Sequence, residues 1–238
     1  MLYNAYRALR SLLFPQECIV CGNHVDDAMH DICMQCRFNI PLTYYWTKDE
    51  NPVKEKFDGV VPIVRGSSFI YYAKGSDWQQ MIHRFKYSGM WRTAIIMGRW
   101  YGAELKASEL YNDIDVVIPV PLHPIKLLKR GYNQSTYIAE GVAHSLGIKV
   151  DTHSVRRKRN NPSQARRGAR DRWENVDDLF VVAHPERLCN KHILVVDDVL
   201  TSGATLTTLL STISKSVPSC RISVATLAVT KYITPIDR

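Results

Sequence analysis

The chain has 238 residues, 45% of them apolar, and a net charge of +8. This length and apolar content exclude a disordered chain and allow one large domain with a small module, or two modest domains. No apolar run is long enough to cross a bilayer. The charge is concentrated: between Arg156 and Arg172 lie eight Arg or Lys and one acid, and the remainder is close to neutral.

In chain order, Leu2, Tyr6, Leu9 and Leu13 recur at helical spacing, which predicts a short amphipathic helix over Tyr3 to Phe14, ended by Pro15. The stretch lacks a signal peptide's apolar centre and cleavage site, so a cytoplasmic location is expected. Cys18-Ile19-Val20-Cys21 and Cys33-Met34-Gln35-Cys36 follow. Two such hooks can present four thiolates tetrahedrally to Zn²⁺, and the metal replaces a core that so short a segment cannot build. Gly22 would help the turn, and His24 and His30 are substitute ligands inside the loop. The alternatives are two disulfides, which the expected compartment disfavours, or a redox site, which needs one pair rather than two.

Pro41 to Phe57 is polar and irregular and reads as a linker, so residues 1–56 are expected to form the N-terminal module and 57–238 the main domain. Asp58 to Tyr72 contains apolar runs broken at Gly66 and predicts two strands. Trp78 to Tyr87 and Thr93 to Ser108 predict helices. Lys86 closes the first of these, either as a favourable C-terminal charge or as a ligand contact. Asp115 to Pro121 predicts a buried strand stopped by its prolines. Lys129-Arg130-Gly131-Tyr132-Asn133-Gln134 then opens a helix through His144, with Arg130 a candidate phosphate ligand and Asn133 a candidate N-cap.

Val150 to His153 predicts a short edge strand. The basic segment beyond it has too few apolar residues to pack and reads as a mobile surface loop carrying Arg159, Gln164, Arg166 and Arg167. Asn175 to Val182 is expected to return to the core as a strand, and Arg221 to Thr230 supplies the last strand. Cys189 and Cys220 read as small core residues. Strands alternating with helices predict an α/β protein with a mainly parallel sheet covered on both faces.

The organising stretch is His192 to Leu206. Ile193 to Val196 is a continuous apolar run, as in a strand buried on both faces, and Asp197 and Asp198 follow where open α/β sheets place ligands. Thr201-Ser202-Gly203-Ala204-Thr205 then offers hydroxyls, a flexible glycine and the free N–H groups of a helix start, which together suit an anion. A capped turn without ligand would need neither paired acids nor five small residues. Two carboxylates beside a phosphate cradle suit a sugar phosphate.

Val195 to Thr205 resembles the motif by which type I phosphoribosyltransferases bind phosphoribosyl pyrophosphate (PRPP). With the four-cysteine module, Phe85-Lys86-Tyr87-Ser88-Gly89, Pro119-Val120-Pro121-Leu122, Arg130-Gly131-Tyr132-Asn133-Gln134 and the basic loop with Gln164, Arg170 and Asn175, the chain resembles the competence protein F (ComF/GntX) family over nearly its whole length. The resemblance implies a type I phosphoribosyltransferase-like fold, a PRPP and Mg²⁺ site, and a link to natural competence and DNA uptake. It assigns the ribose hydroxyls to Asp197 and Asp198 and the 5′-phosphate to Thr201 to Thr205. Arg130, Lys86 and the basic loop would meet the remaining phosphates. The alternative is a non-catalytic adaptor on the same fold, binding single-stranded DNA or a competence-machinery protein.

Overall fold

The computed structural model describes residues 17–25, 31–87, 89–158 and 179–230, with only the backbone of 86 and 87. The expected N-terminal helix, His30 and the basic-loop residues Arg159, Gln164, Arg166 and Arg167 lie outside them.

Five parallel strands form the main sheet: β1 (Gly66–Tyr72), β2 (Val116–Pro119), β3 (Lys149–Val150), β6 (His192–Leu200) and β7 (Arg221–Thr230), in the order β1-β7-β6-β2-β3. β4 (Val155–Arg157) and β5 (Phe180–Val182) form a separate antiparallel ribbon. The helices are α1 (Met34–Phe38), α2 (Pro52–Glu55), α3 (Asp77–Tyr87), α4 (Trp91–Ala107), α5 (Pro124–Arg130), α6 (Gln134–Leu146) and α7 (Ala204–Ser216).

Strand periodicity divides the core in two. Leu194 and Val196 of β6 pack with α3, α4 and α6, and this core runs on into Cys18, Val20 and Cys36 of the cysteine module. Ile193 and Val195 face the other way, onto Leu206, Leu209 and Ile213 of α7. From β2 the chain passes through α6 on one face to β3 on one side. From β6 it passes through α7 on the opposite face to β7 on the other side. The switch point therefore lies between β2 and β6, where open α/β sheets bind ligands.

The position of α6 is set by contact of backbones. A Cβ at Gly141 would stand 2.4 Å from the Ile95 carbonyl oxygen, and one at Gly98 would stand 2.3 Å from that of Ile138. Only glycine permits α4 and α6 to approach so closely, and this approach holds the N-terminus of α6 at the switch point.

Several expectations are corrected. Pro41 to Phe57 is not irregular: it contains a 3-10 turn (Tyr45–Thr47) and α2, and it covers the outer edge of β1. The Tyr71 N–H donates to the Pro41 carbonyl at 2.8 Å and the Thr43 N–H to that of Phe69 at 3.0 Å, so the edge is paired rather than bare. Trp46, Val53 and Phe57 are buried there, and Asn51 caps α2 while donating to the Gly66 carbonyl at 2.8 Å. These anchors follow no helical or strand period, which is why the stretch reads as a linker. Asp58 to Tyr72 yields one strand, not two: Val60 and Val61 lie in turns. The edge strand is Lys149–Val150, earlier than expected, and Phe180–Val182 joins the ribbon, not the main sheet. The helix expected from Lys129 is two helices, broken at Gly131. Cys189 is exposed and is not a core residue, whereas Cys220 is half-buried and packs against the α7-side core. Among the described residues no helix is long and apolar enough to cross a membrane.

Candidate functional site

The acids lie inside the second half of β6, not beyond its end. β2 pairs with β6 only as far as Pro119 opposite Val196, whereas β7 continues opposite Asp197, Val199 and Leu200. Asp197 and Asp198 therefore emerge where the neighbouring strand stops. One face of the crevice is opened by the departure of β2, while pairing with β7 keeps the acid-bearing backbone rigid.

Both carboxylates are held from the start of α6. The Ser135 hydroxyl donates to Asp197 Oδ1 at 2.8 Å, and the Gln134 amide donates to Asp198 Oδ2 at 3.0 Å. The Val199 N–H donates to Asp198 Oδ1 at 2.7 Å. Arg130 in turn donates to Gln134 Oε1 at 3.1 Å, which makes a relay from guanidinium to amide to carboxylate. Asn133 caps α6, as its sequence position allows, by accepting from the Ser135 N–H at 3.2 Å, and its amide donates to the Val120 carbonyl at 3.0 Å. Asp198 is buried and Asp197 half-buried.

On the other face, Gly203 caps α7 with φ +83°, in the left-handed region where glycine is unstrained. It offers no side chain to the first N–H groups of α7, and Ser202 Oγ accepts from the Ala204 N–H at 3.5 Å, so the helix start beside the crevice suits an anion. Residues 199–206 and Asp197 enclose a hollow of about 60 Å³ there. It adjoins one of about 340 Å³ lined by Asp197, Asp198, Arg130, Lys126, Thr201 and Thr205, among others. The fold thus brings together Asp197, Asp198, the whole of Thr201 to Thr205, and Arg130. Lys86 lies near the end of α3, one residue past Phe85, whose carbonyl accepts from the Tyr132 hydroxyl.

Three participants are not evident in the sequence. Ser135 looks like an ordinary helix residue, and its role depends on the register between α6 and β6. Lys126 belongs to α5. Arg157 lies in the basic run, yet it is an ordered strand residue: its guanidinium stands 5.4 Å from the ring of Phe180, its partner across the ribbon. Burial lowers the affinity of Arg157 for its proton, and the charge of Asp197 raises it. Its place follows from the antiparallel pairing of Val155–Arg157 with Phe180–Val182, which joins segments far apart in the sequence.

The four cysteines converge. Their sulfurs all lie within 4.8 Å of one another, and the group can hold a metal ion. Cys21 and Cys33 are 3.7 Å apart, close to the roughly 3.8 Å edge of a tetrahedron with Zn–S bonds of about 2.3 Å. Burial works against a Cys18 thiolate, but N–H donors from Cys21, Cys33 and Val20 bring its pKa down to about 7. Burial and the adjoining sulfurs push Cys36 up. His24 is exposed, in a bridge with Glu17, and stands outside the sulfur group.

Strand order, register and the sulfur group define the class: an α/β protein whose mainly parallel sheet is covered by helices, with an N-terminal four-cysteine cluster. The chain is similar to competence protein F and to DNA utilization proteins. The chain is 24% identical over 208 residues to competence protein F of Haemophilus influenzae, across 81% of this chain and 88% of that protein. It is 28% identical over 129 residues to the DNA utilization protein YhgH of Salmonella typhi and, equally, of Escherichia coli K12. These matches cover 53% of this chain and only about half, 56%, of those proteins. No family model matches. Among solved structures, a glutamine PRPP amidotransferase from B. subtilis, complexed with ADP and GMP, aligns with 55% of this chain and 25% of its own at 17% identity, with a TM-score of 0.38. A likeness that loose carries no argument, and the architecture rests on strand order and register.

Proposed function

We propose that the chain binds PRPP with Mg²⁺ at the switch-point crevice and transfers its phosphoribosyl group to an acceptor. The observation that carries this reading is the convergence of two oriented carboxylates, Asp197 and Asp198, with the open N-terminus of α7 in adjoining hollows. Asp197 and Asp198 would accept from the ribose hydroxyls, and the α7 N–H groups with Thr201, Ser202 and Thr205 would hold the 5′-phosphate. Lys126 and Arg130 would neutralise the departing pyrophosphate, joined by Lys86 and the loop residues Arg159, Gln164, Arg166 and Arg167. Mg²⁺ when bound would share that charge through oxygen ligands. Positive charge developing on the ribose would be stabilised by carboxylates that Ser135 and Gln134 already hold in place, so little reorganisation is required.

The sulfur cluster would hold a structural Zn²⁺ that joins the N-terminal module to the main core; the donor set and its spacing support this. We place the protein in the cytoplasm, with residues 1–56 as module and 57–238 as main domain. The names of the relatives support a role in DNA uptake or use. They also favour a second reading, in which the protein is an adaptor for single-stranded DNA or a competence-machinery protein.

Pyrophosphate release from PRPP and Mg²⁺, measured across a mixed pool of nitrogen acceptors, separates the two. Release that disappears in the Asp197→Asn, Asp198→Asn double variant supports the transferase. No release, together with DNA affinity that falls steeply with salt and survives the double change, supports the adaptor.

A further inference from the structure

Helix α5 is ordered without a core of its own. None of its seven residues is buried, and its three aliphatic side chains stand in solvent: Ile125 is 60%, Leu127 43% and Leu128 88% exposed. We infer that the outer face of α5, formed by Ile125, Leu128 and Lys129, is a docking surface for an acidic amphipathic segment of a partner protein. The inference goes beyond the PRPP reading and does not depend on it.

Caps hold this helix, not burial. Pro124 begins it, His123 Nδ1 accepts from the Ile125 N–H at 3.2 Å, and Gly131, at φ +78°, donates its N–H to the Leu127 carbonyl at 2.8 Å. A helix shorter than about 12 residues is marginal alone, and in most proteins an apolar face packed on a neighbour supplies the rest of its stability. Helix α5 has the apolar face, yet Ile125 and Leu128 remain in solvent. These two and Lys129 follow at i, i+3 and i+4 and so share one stripe. Lys126 and Arg130, also four apart, line the crevice instead.

Charge and shape select the occupant. The helix carries Lys126, Lys129 and Arg130 and no acid. Leu127 shares the wall of an adjoining hollow with Arg156, Arg157 and one acid, Glu140, so the surroundings remain cationic. A second copy of this chain would bring cation against cation. Nucleic acid would answer the charge but leave Ile125 and Leu128 against phosphate and sugar, because α5 has no aromatic ring on which a base can stack. Helices that lie on membranes commonly run to about 20–30 residues, whereas this stripe offers two aliphatic side chains. A partner helix with apolar residues at i and i+3 or i+4, and Asp or Glu beside them, answers both features. Its apolar side chains would cover Ile125 and Leu128, and its carboxylates would meet Lys129. The docked segment would lie on the helix that also lends Lys126 and Arg130 to the crevice.

The test replaces Leu128 by a photo-crosslinking residue in the full chain, expressed in its own host, and maps the captured peptide by mass spectrometry. The captured segment should belong to another protein and carry Asp or Glu among apolar residues at helical spacing. A synthetic peptide of that segment, titrated against the full chain, should lose about ten-fold or more in affinity when Ile125→Ser and Leu128→Ser are combined. Lys129→Ala should cost less, and its effect should shrink as salt is raised. The melting temperature of the double Ser variant should stay unchanged, since neither side chain is buried. A marked fall would show that the two pack within the chain, and would overturn the inference. It is also overturned by cross-links confined to this chain, to nucleic acid or to lipid, by no cross-link at all, by a captured segment without acids, or by peptide binding that survives the double change.

Discussion

The two ends of β6 carry similar chemistry in different enclosures. At the amino end the His192 ring lies between the Ser223 hydroxyl, 2.8 Å from Nε2, and Asp113 Oδ2, 3.1 Å from Nδ1. Serine, histidine and acid thus follow one another as in a hydrolase triad. Yet Ser223 is fully buried and His192 only 2% exposed. The Ser223 oxygen accepts from the Arg65 N–H at 3.2 Å, and Asp113 is held by Arg65 at 3.1 Å and Arg221 at 2.9 Å. Ser223 and His192 are closed to a substrate, and the outer members, Asp113 and Arg221, reach the surface. The cluster ties β6 to β7 and to the segment entering β1. At the carboxyl end the carboxylates are also oriented by side chains, but they line an open hollow beside the start of α7. The order of donors and acceptors does not distinguish a lock from a site; access does.

The sharpest way to break this comparison is to remove charge at the open end. Asp197→Asn with Asp198→Asn should weaken PRPP binding about a hundred-fold or more, with loss of two charge-assisted contacts, while the melting temperature moves by only a few degrees. A double variant that binds normally would reduce the carboxyl end to another structural cluster.

Next in size is Gly141→Ala, whose methyl would meet the Ile95 carbonyl. Urea denaturation should show a loss of about 2–3 kcal/mol through overpacking, and because α6 carries Gln134 and Ser135, PRPP affinity should fall as well. Stability lost with affinity retained would show that the acids do not depend on α6.

At the closed end, Asp113→Ala should lower stability by about 1–2 kcal/mol, a figure reduced for solvent exposure of the ion pairs. PRPP binding should be unchanged. A binding defect of similar size would mean that the two ends are coupled.

The smallest effect is one of pH. Burial holds His192 below the ordinary histidine range, against the attraction of Asp113 and with the repulsion of Arg221 and Arg65. The unfolded chain therefore takes up a proton near pH 6.5 that the folded chain does not. Stability is full above that pH and declines as pH falls through it toward the folded-state pKa. Asp113, held low by His192 and Arg65 against its own burial, keeps its contribution until more acidic conditions. Urea midpoints between pH 8 and pH 5 should fall in the wild type and flatten in His192→Gln.

This contrast also explains what the sequence made legible. The open end is local: strand, acids, small-residue turn and helix start are consecutive from Ile193 to Thr205, so the chemistry can be read along the chain. The cysteine hooks are local too. The closed end joins Arg65, Asp113, His192, Arg221 and Ser223, scattered over the sequence, and nothing in their spacing announces them. Ser135 and Arg157 were hidden for the same reason, since each reaches Asp197 only through the packing of another element onto the sheet. Pro41 to Phe57 reads as a linker because its anchors, Trp46, Asn51 and Phe57, pack by position rather than by period.

The most direct test of the central claim is calorimetric titration of the full chain with PRPP and Mg²⁺, beside the Asp197→Asn, Asp198→Asn double variant. The account predicts saturable binding by the wild type, near one PRPP per chain, and none in the variant over the same range. No heat from either protein, or the same isotherm from both, would contradict it.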